Sequence, residues 1–229
     1  MGKITIKSRN YQLFHDRTEA ASLLASELGK FRGLKVVVLG IPRGGVVVAE
    51  KIATLLNADL DIVLSRKLRT PGFGELAMGA VSEDGRVFLN NDVLLSMNIT
   101  NAEVENEKQR QLGEIRRRSN LFRSAKAKVP LANRTVIIVD DGVATGATMQ
   151  ASIWAVSLEK PTRIICALPV GPEETIHELA SSVDEIICLR VPPGFEAVGQ
   201  YYYRFEEITD EDVIGILKNY RAARVIHEN

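Results

Sequence analysis

Several things are scarce in this sequence, and each scarcity removes a class of protein. Cysteine appears twice in 229 residues, as Cys166 and Cys188, with no CxxC pair. That argues against a disulfide scaffold and against a thiolate metal site. Both lie in apolar runs, "RIICALPV" and "DEIICLR", where reduced, buried thiols are expected. Histidine is limited to His15, His177 and His227, which show no ligand spacing. Neither sign of charge is in excess: Lys+Arg and Asp+Glu both number 29, so no global field draws the chain to nucleic acid or anionic lipid. No apolar stretch reaches the length of a membrane span, and "MGKITIKSRN" lacks the apolar core of a signal peptide. Gly2 invites a myristoylation reading, but Ile6 stands where Ser or Thr is needed. These absences predict a cytoplasmic chain with no membrane partner. Two nucleotide loops are missing as well: there is no GxxxxGK[ST], and no GxGxxG follows a strand.

What is present is an apolar content of 45%, enough for a sizeable core. The runs 35–40 ("KVVVLG"), 60–66 ("LDIVLSR"), 135–140 ("TVIIVD"), 163–170 ("RIICALPV") and 185–190 ("EIICLR") are β-branched and continuously apolar. That pattern predicts strands buried on both faces of a parallel sheet. Helical patterns separate them at 16–29, 44–57, about 146–159 and about 173–182. The first opens on Asp16 with Glu19 three residues on, like a capping box, and stops at Gly29. Alternating strands and helices predict an α/β fold, a central, mostly parallel sheet with helices on both faces. Residues 69–92 break the rhythm with several glycines and a hairpin signal at Glu83-Asp84-Gly85. Residues 101–123 read as a long polar helix, and a final amphipathic helix carries apolar residues at 213, 214, 217 and 220. The length suits one domain, 1–229, with a flap and helical insertion at about 69–123.

One stretch carries chemistry: "VIIVDDGVATGATM", residues 136–149. In open α/β sheets ligands bind outside the carboxyl ends of the strands, where Asp140 and Asp141 fall. Adjacent acids at the end of a buried strand need partners, because buried charge is costly. A diol, or a metal-bound ligand, would supply them. The loop Gly142, Val143, Ala144, Thr145, Gly146, Ala147, Thr148 then leads into a helix. Small residues let backbone amides approach a ligand, and a helix N-terminus favours an anion. A diol holder beside a phosphate cradle describes a ribose 5-phosphate site. The plainer alternative is a tight strand-to-helix turn capped by Thr.

These residues resemble a known signature. "VIIVDDGVATGAT" is similar to the phosphoribosyl diphosphate (PRPP) motif of type I phosphoribosyltransferases. "VLGIPRGGVVVAEKIA" resembles the pyrophosphate loop of that fold, and "LSRKLRTPG" the Arg-Lys element of adenine and orotate phosphoribosyltransferases. "PPGFEAVGQYYYRF" resembles the hood segment of hypoxanthine-type enzymes. The whole string is most similar to a poorly characterised branch of predicted phosphoribosyltransferases. The resemblance implies a flap hairpin and a small hood, from about 190–207 with N-terminal residues. It implies Asp140 and Asp141 on the ribose hydroxyls, residues 144–148 on the 5-phosphate with Gly142 and Val143 also at PRPP, and Arg43, Gly44 and Gly45 on the diphosphate. Mg²⁺ would bridge the diphosphate and the sugar hydroxyls, touching Asp140 and Asp141 indirectly. A non-proline cis or strained peptide would fall near Pro42-Arg43-Gly44. Partners would be PRPP and a small-molecule acceptor, in a homodimer.

The remaining candidates each have a bland counterpart. Arg43 follows Pro42 at the sheet's carboxyl edge and suits a diphosphate; otherwise it is an exposed loop residue. Arg66 and Lys67 end the 60–66 run and add cations to that edge, Lys67 as a catalytic candidate; otherwise they reach solvent. Residues 69–86 form a water-excluding flap, freed by Gly72, Gly74 and Gly79, with Glu75 as a candidate acid/base or cation stabiliser. Val198, Gly199, Tyr201 and Tyr202 could flank a flat acceptor; otherwise the tyrosines pack internally. Cys188-Leu189-Arg190 stands where hypoxanthine-type enzymes carry a base-reading lysine, so the resemblance does not name a purine. Arg116, Arg117 and Arg118 read as a solvated face or a subunit contact. They also invite the rival reading, a PRPP-sensing regulator that binds nucleic acid. Trp154, Met149 and Ile153 read as core. The activity implied is Mg²⁺-dependent transfer of a phosphoribosyl group to a nitrogenous acceptor, with a sugar-phosphate hydrolase as a third possibility.

Overall fold

Alternate residues of the same strand enter two different cores, and this builds the fold. Val36 and Val38 of β2 (Val36–Gly40), with Ile137 and Val139 of β7 (Thr135–Val139), pack among residues of α1 (Arg17–Glu27) and α2 (Gly44–Leu56). Val37, Leu39, Val136 and Ile138 point the other way, towards α5 (Ala147–Ser157) and α6 (Glu173–Leu179). The period-two geometry of a strand turns a continuous apolar run into two buried faces. In this computed structural model residues 1–227 are described, apart from the side chains of Glu75 and of residues 221–227.

The central sheet has six strands, and every pairing in it is parallel. Its order is β1 (Lys3–Ser8), β9 (Glu185–Arg190), β8 (Arg163–Val170), β7, β2, β3 (Asp59–Ile62). The chain is therefore α/β, with helices on both faces of a parallel sheet. β1 had no counterpart among the continuous apolar runs. It is an edge strand, half exposed, and "KITIKS" alternates Lys with Ile as such a strand should.

The 60–66 run is not one strand. β3 stops at Ile62, and the chain starts a second, antiparallel sheet of β4 (Ser65–Thr70), β5 (Phe73–Ser82) and β6 (Val87–Leu89). Arg66 and Lys67 therefore open β4 rather than ending a strand of the central sheet. The glycines of this region do specific jobs. Gly72 follows Pro71 at a φ of +75°, as the turn between β4 and β5 requires, and Gly85 sits at +80° in the expected turn after Glu83. A Cβ on Gly79 would lie 2.1 Å from the Phe88 carbonyl oxygen, so Gly79 permits strand pairing and confers no mobility. The segment is a hydrogen-bonded hairpin sheet packed on α5.

Helix α3 (Asn91–Ser96) and helix α4 (Asn101–Arg123) follow. α4 starts with a complete capping box between Thr100 and Glu103. α7 (Asp210–His227) packs Val213, Leu217 and Tyr220 into the first core, and the Tyr220 hydroxyl donates to the Ala58 carbonyl. Among the described residues, no helix is long and apolar enough to cross a membrane.

Candidate active site

Parallel pairing of β2 with β7 brings the loops after both strands to one edge of the sheet. Asp140 and Asp141 leave the end of β7 there, half buried. The Asp141 amide donates to Asp140 Oδ1 at 2.9 Å. Burial, and then the adjacent Asp141, push the Asp140 carboxyl well above the ordinary range. The loop after β2 closes onto this pair. A Cβ on Gly44 would lie 1.9 Å from Asp141 Oδ2, and one on Gly45 would lie 2.9 Å from Asp140 Oδ1. Only glycine permits that approach. The Pro42–Arg43 peptide between β2 and these glycines is cis, where the resemblance placed an unusual bond.

Arg17, the first residue of α1, is buried against the same acids. Its Nε donates to Asp141 Oδ2 at 2.7 Å, its Nη1 to the Glu206 carbonyl at 2.9 Å, and its guanidinium lies 3.9 Å from the Phe205 ring centroid. Nothing in the sequence marked it, because its partner is 124 positions away. The Tyr202 hydroxyl donates to the Asp141 carbonyl, fixing the backbone of the pair.

After the acids, Gly142 passes close under Val198, where a Cβ would come within 2.5 Å of Val198 Cγ1. Gly146 takes a left-handed φ of +75° and starts α5 with no side-chain cap. Val143 is buried, whereas Ala144, Thr145 and Thr148 are exposed around that uncapped helix end, an arrangement suited to an anion. Thr175 steadies the loop by donating to the Ala144 carbonyl at 2.9 Å.

A cleft of about 370 Å³ runs from Thr145 and Thr148 past Pro42 to β4 and α4. Arg66, Lys67, Arg69 and Arg118 line it, and no carboxylate among the described residues does. Arg43 lies at the loop beside it and pairs with Glu207 at 3.0 Å. Arg118 departs from the single solvated face expected of residues 116–118: Arg116 and Arg117 are exposed, whereas Arg118 turns into the cleft. A helical signal for this exists: Leu112 and Ile115 are buried, and 118 continues their face.

The hood is arranged differently from the stacking platform expected at Tyr201 and Tyr202. Both are buried, at 4% and 5% exposure. Tyr202 packs between Phe14 and Phe205, and Tyr201 stacks on Phe195. The Phe14 amide donates to the Tyr201 carbonyl and the Tyr203 amide to the Phe14 carbonyl, so the N-terminal segment locks these rings inside. Gly199 lies under Phe205, which is far more exposed than Phe14, Tyr201 or Tyr202. Arg190, in the segment where hypoxanthine-type enzymes carry a base-reading lysine, is buried over the Phe14 ring and donates to the Gln12 carbonyl. Glu75 lies on β5, and its side chain falls outside the described residues. Trp154 stacks on Phe88 of the hairpin sheet. Cys166 and Cys188 are buried free thiols, and burial pushes Cys188 up to about 12.

Comparison with known proteins agrees with this geometry. The phosphoribosyl transferase domain profile matches residues 13–205. Two Mycobacterium tuberculosis relatives, each named "Putative phosphoribosyl transferase", are 41% identical over 206 residues, which is 90% of this chain. The chain spans about half the length of those relatives, 46%. The crystal structure of TT1426 from Thermus thermophilus is 43% identical and superposes with a TM-score of 0.87, covering 91% of this chain and 99% of that one.

Proposed function

The chain belongs to the phosphoribosyl transferase domain family, and from that premise we propose that it transfers the 5-phosphoribosyl group of PRPP to a nitrogenous acceptor, such as a nucleobase, with release of diphosphate. The observation that carries this reading is the acid pair at the sheet edge, pressed against Gly44 and Gly45 on one side and leading into an uncapped helix N-terminus on the other. Asp140 and Asp141 accept from the ribose 2- and 3-hydroxyls. Residues 144–148 hold the 5-phosphate with backbone amides and the Thr145 and Thr148 hydroxyls. Arg43, Arg66 and Lys67 face the diphosphate. Arg17 keeps Asp141 oriented until a sugar hydroxyl competes for Oδ2.

The acids suit Mg²⁺. A hard cation of this kind takes oxygen ligands and is usually held by one or two carboxylates together with substrate phosphates. Among the described residues no cluster of three or more His, Cys, Asp or Glu side chains exists that could cage a metal by itself. Asp140 and Asp141 would therefore reach a PRPP-borne ion through hydroxyls or water. When bound, Mg²⁺ supplies charge neutralisation at the departing diphosphate.

The reaction asks two things of the protein. It must orient C1 against an acceptor nitrogen on the face opposite the diphosphate, and it must stabilise the charge that grows on the leaving oxygens. Cations preorganised around the cleft answer the second need without reorganising. The regulator reading keeps Arg116 and Arg117 on the surface, while Arg118 faces the cleft. Calorimetry tests the assignment. PRPP with Mg²⁺ should bind the wild type, and the double variant Asp140→Asn, Asp141→Asn should lose roughly 100-fold or more in affinity while remaining folded. Unchanged affinity in the double variant overturns it. Diphosphate release from PRPP across purines, pyrimidines and other amines then identifies the acceptor.

A further inference from the structure

One wall of the cleft comes from α4, and the reaction as described gives that helix no part. Leu112 and Ile115 bury the inner face of α4, and Arg118 continues it into the cleft beside Arg66, Lys67 and Arg69. The Arg118 Nε is buried and has no hydrogen-bond partner among the described residues. Its neighbours differ: Arg43 has Glu207 at 3.0 Å, and Arg66 has Glu114 at 3.8 Å. Further along the same helix, Arg123 is held by both Asp61 and Glu83. Burial, and then Arg66, lower the pKa of Arg118; Asp210 opposes them, and Arg117 and Arg43 add smaller pushes downward. A guanidinium stays protonated at any ordinary pH, so the unmet demand here is for an anion. A buried donor without a partner costs stability, and a structure keeps one where a ligand completes it.

We propose that Arg118 binds the leaving diphosphate of PRPP, forming a clamp with Arg66 and Lys67 that the helical insertion supplies. The inference rests on the PRPP reading above. It selects the diphosphate because the 5-phosphate already has the amide loop at 144–148, whereas Arg118 shares its wall of the cleft with Arg66, Lys67 and Arg69. In the transfer step the C1–oxygen bond breaks and its electron pair stays with the diphosphate. Arg118 donates hydrogen bonds to the oxygens that gain this charge, and no proton leaves it. A planar fork that can engage two oxygens at once gives a geometry a lysine cannot reproduce.

The test uses the full chain with Mg²⁺-diphosphate and ribose 5-phosphate titrated separately by calorimetry. Arg118→Ala should weaken diphosphate binding roughly 10- to 100-fold. Ribose 5-phosphate should change by no more than about two-fold. The melting temperature should hold or rise, because an unpartnered buried cation is removed; a purely structural arginine would lower it. Arg118→Met, which keeps the apolar stem, should behave like Arg118→Ala if charge rather than packing is at issue, and Arg118→Lys should recover part of the diphosphate affinity. Loss of ribose 5-phosphate binding with diphosphate unaffected overturns the proposal and assigns Arg118 to the other phosphate. If the wild type binds both ligands and no variant differs, the clamp is wrong and the PRPP reading stands. If the wild type binds neither PRPP nor diphosphate, both fail together.

Discussion

Two carboxylate pairs sit at opposite ends of the chain's electrostatic range. Asp61 and Glu83 share Arg123. Asp61 is 1% exposed and accepts from Arg123 Nη1 at 2.6 Å, the Val129 amide at 2.8 Å and the Ile62 amide at 2.8 Å. Glu83 accepts from Arg123 Nε and Nη2 and pairs with Lys128. All four oxygens are engaged, and the three side chains tie β3, the β5–β6 turn and α4 together. Burial still raises the pKa of Asp61, and Arg123 only partly offsets it. Asp140 and Asp141 share Arg17, which takes one oxygen of Asp141, while Asp140 receives the Asp141 amide. One cation faces two adjacent acids at the carboxyl edge of the sheet. The first pair is closed by the protein. The second is left for something the protein does not contain, and that difference separates a structural ion network from a binding site.

The largest test of this contrast removes the cation of the closed pair. Arg123→Ala leaves Asp61 and Glu83 without their shared guanidinium in a buried setting and should cost about 3–5 kcal/mol of folding stability in denaturant melts. Below about 1 kcal/mol, the network would rank with surface ion pairs and the contrast would break. PRPP affinity measured well below the variant's melting temperature should be little changed. A smaller effect is expected from Gly44→Ala. The added Cβ would lie 1.9 Å from Asp141 Oδ2 and 3.1 Å from Arg17 Nε, so it must displace both. Overpacking of this kind costs about 1–3 kcal/mol. Here PRPP binding should weaken along with stability, because the displaced atoms are the ones assigned to the sugar. Full PRPP affinity in Gly44→Ala would show that Asp141 need not sit where it does.

The two pairs were not equally legible in the sequence. Asp140 and Asp141 stand out because a fully apolar strand ends abruptly in charge and small residues, a local pattern with a local physical cause. Asp61 is hidden inside "LDIVLSR", where one polar residue does not interrupt an apolar run, and Arg123 closes a polar helix 62 positions later. Arg17 is hidden within a helix start that Asp16 and Glu19 already account for. Contacts between distant chain segments leave no periodic trace. Arg118 did leave one, the buried face through Leu112 and Ile115, but three consecutive arginines read more readily as a charge run than as three helix faces about 100° apart. The parallel sheet followed from continuous β-branched runs, whereas the break at Val63 and Leu64 did not, because apolarity continues across it while the backbone leaves one sheet for another.

The smallest effect concerns Asp140 alone, and its sign depends on pH. Because its folded pKa is raised, folding favours the protonated carboxyl relative to the unfolded chain. A group shifted upward contributes stability that is fully present below the unfolded value, about 4 for aspartate, and that is lost as pH rises through the folded value. The wild type should therefore give up stability across the window that starts near pH 4 and ends at the raised pKa. Asp140→Asn cannot ionise, and an amide oxygen can still accept from the Asp141 amide. The variant should then be more stable than the wild type at neutral pH by about 1 kcal/mol, roughly 2–4 °C in melting temperature, with the gap closing as pH falls towards 4. Part of the same strain should reappear in binding: a sugar hydroxyl and a metal-bearing ligand favour the ionised acid, so PRPP association with Mg²⁺ should release protons. Calorimetry in buffers of different ionisation enthalpy reads that release directly. A variant whose stability gap does not change with pH would mean that Asp140 is already ionised and partnered, as closed a pair as Asp61 and Glu83.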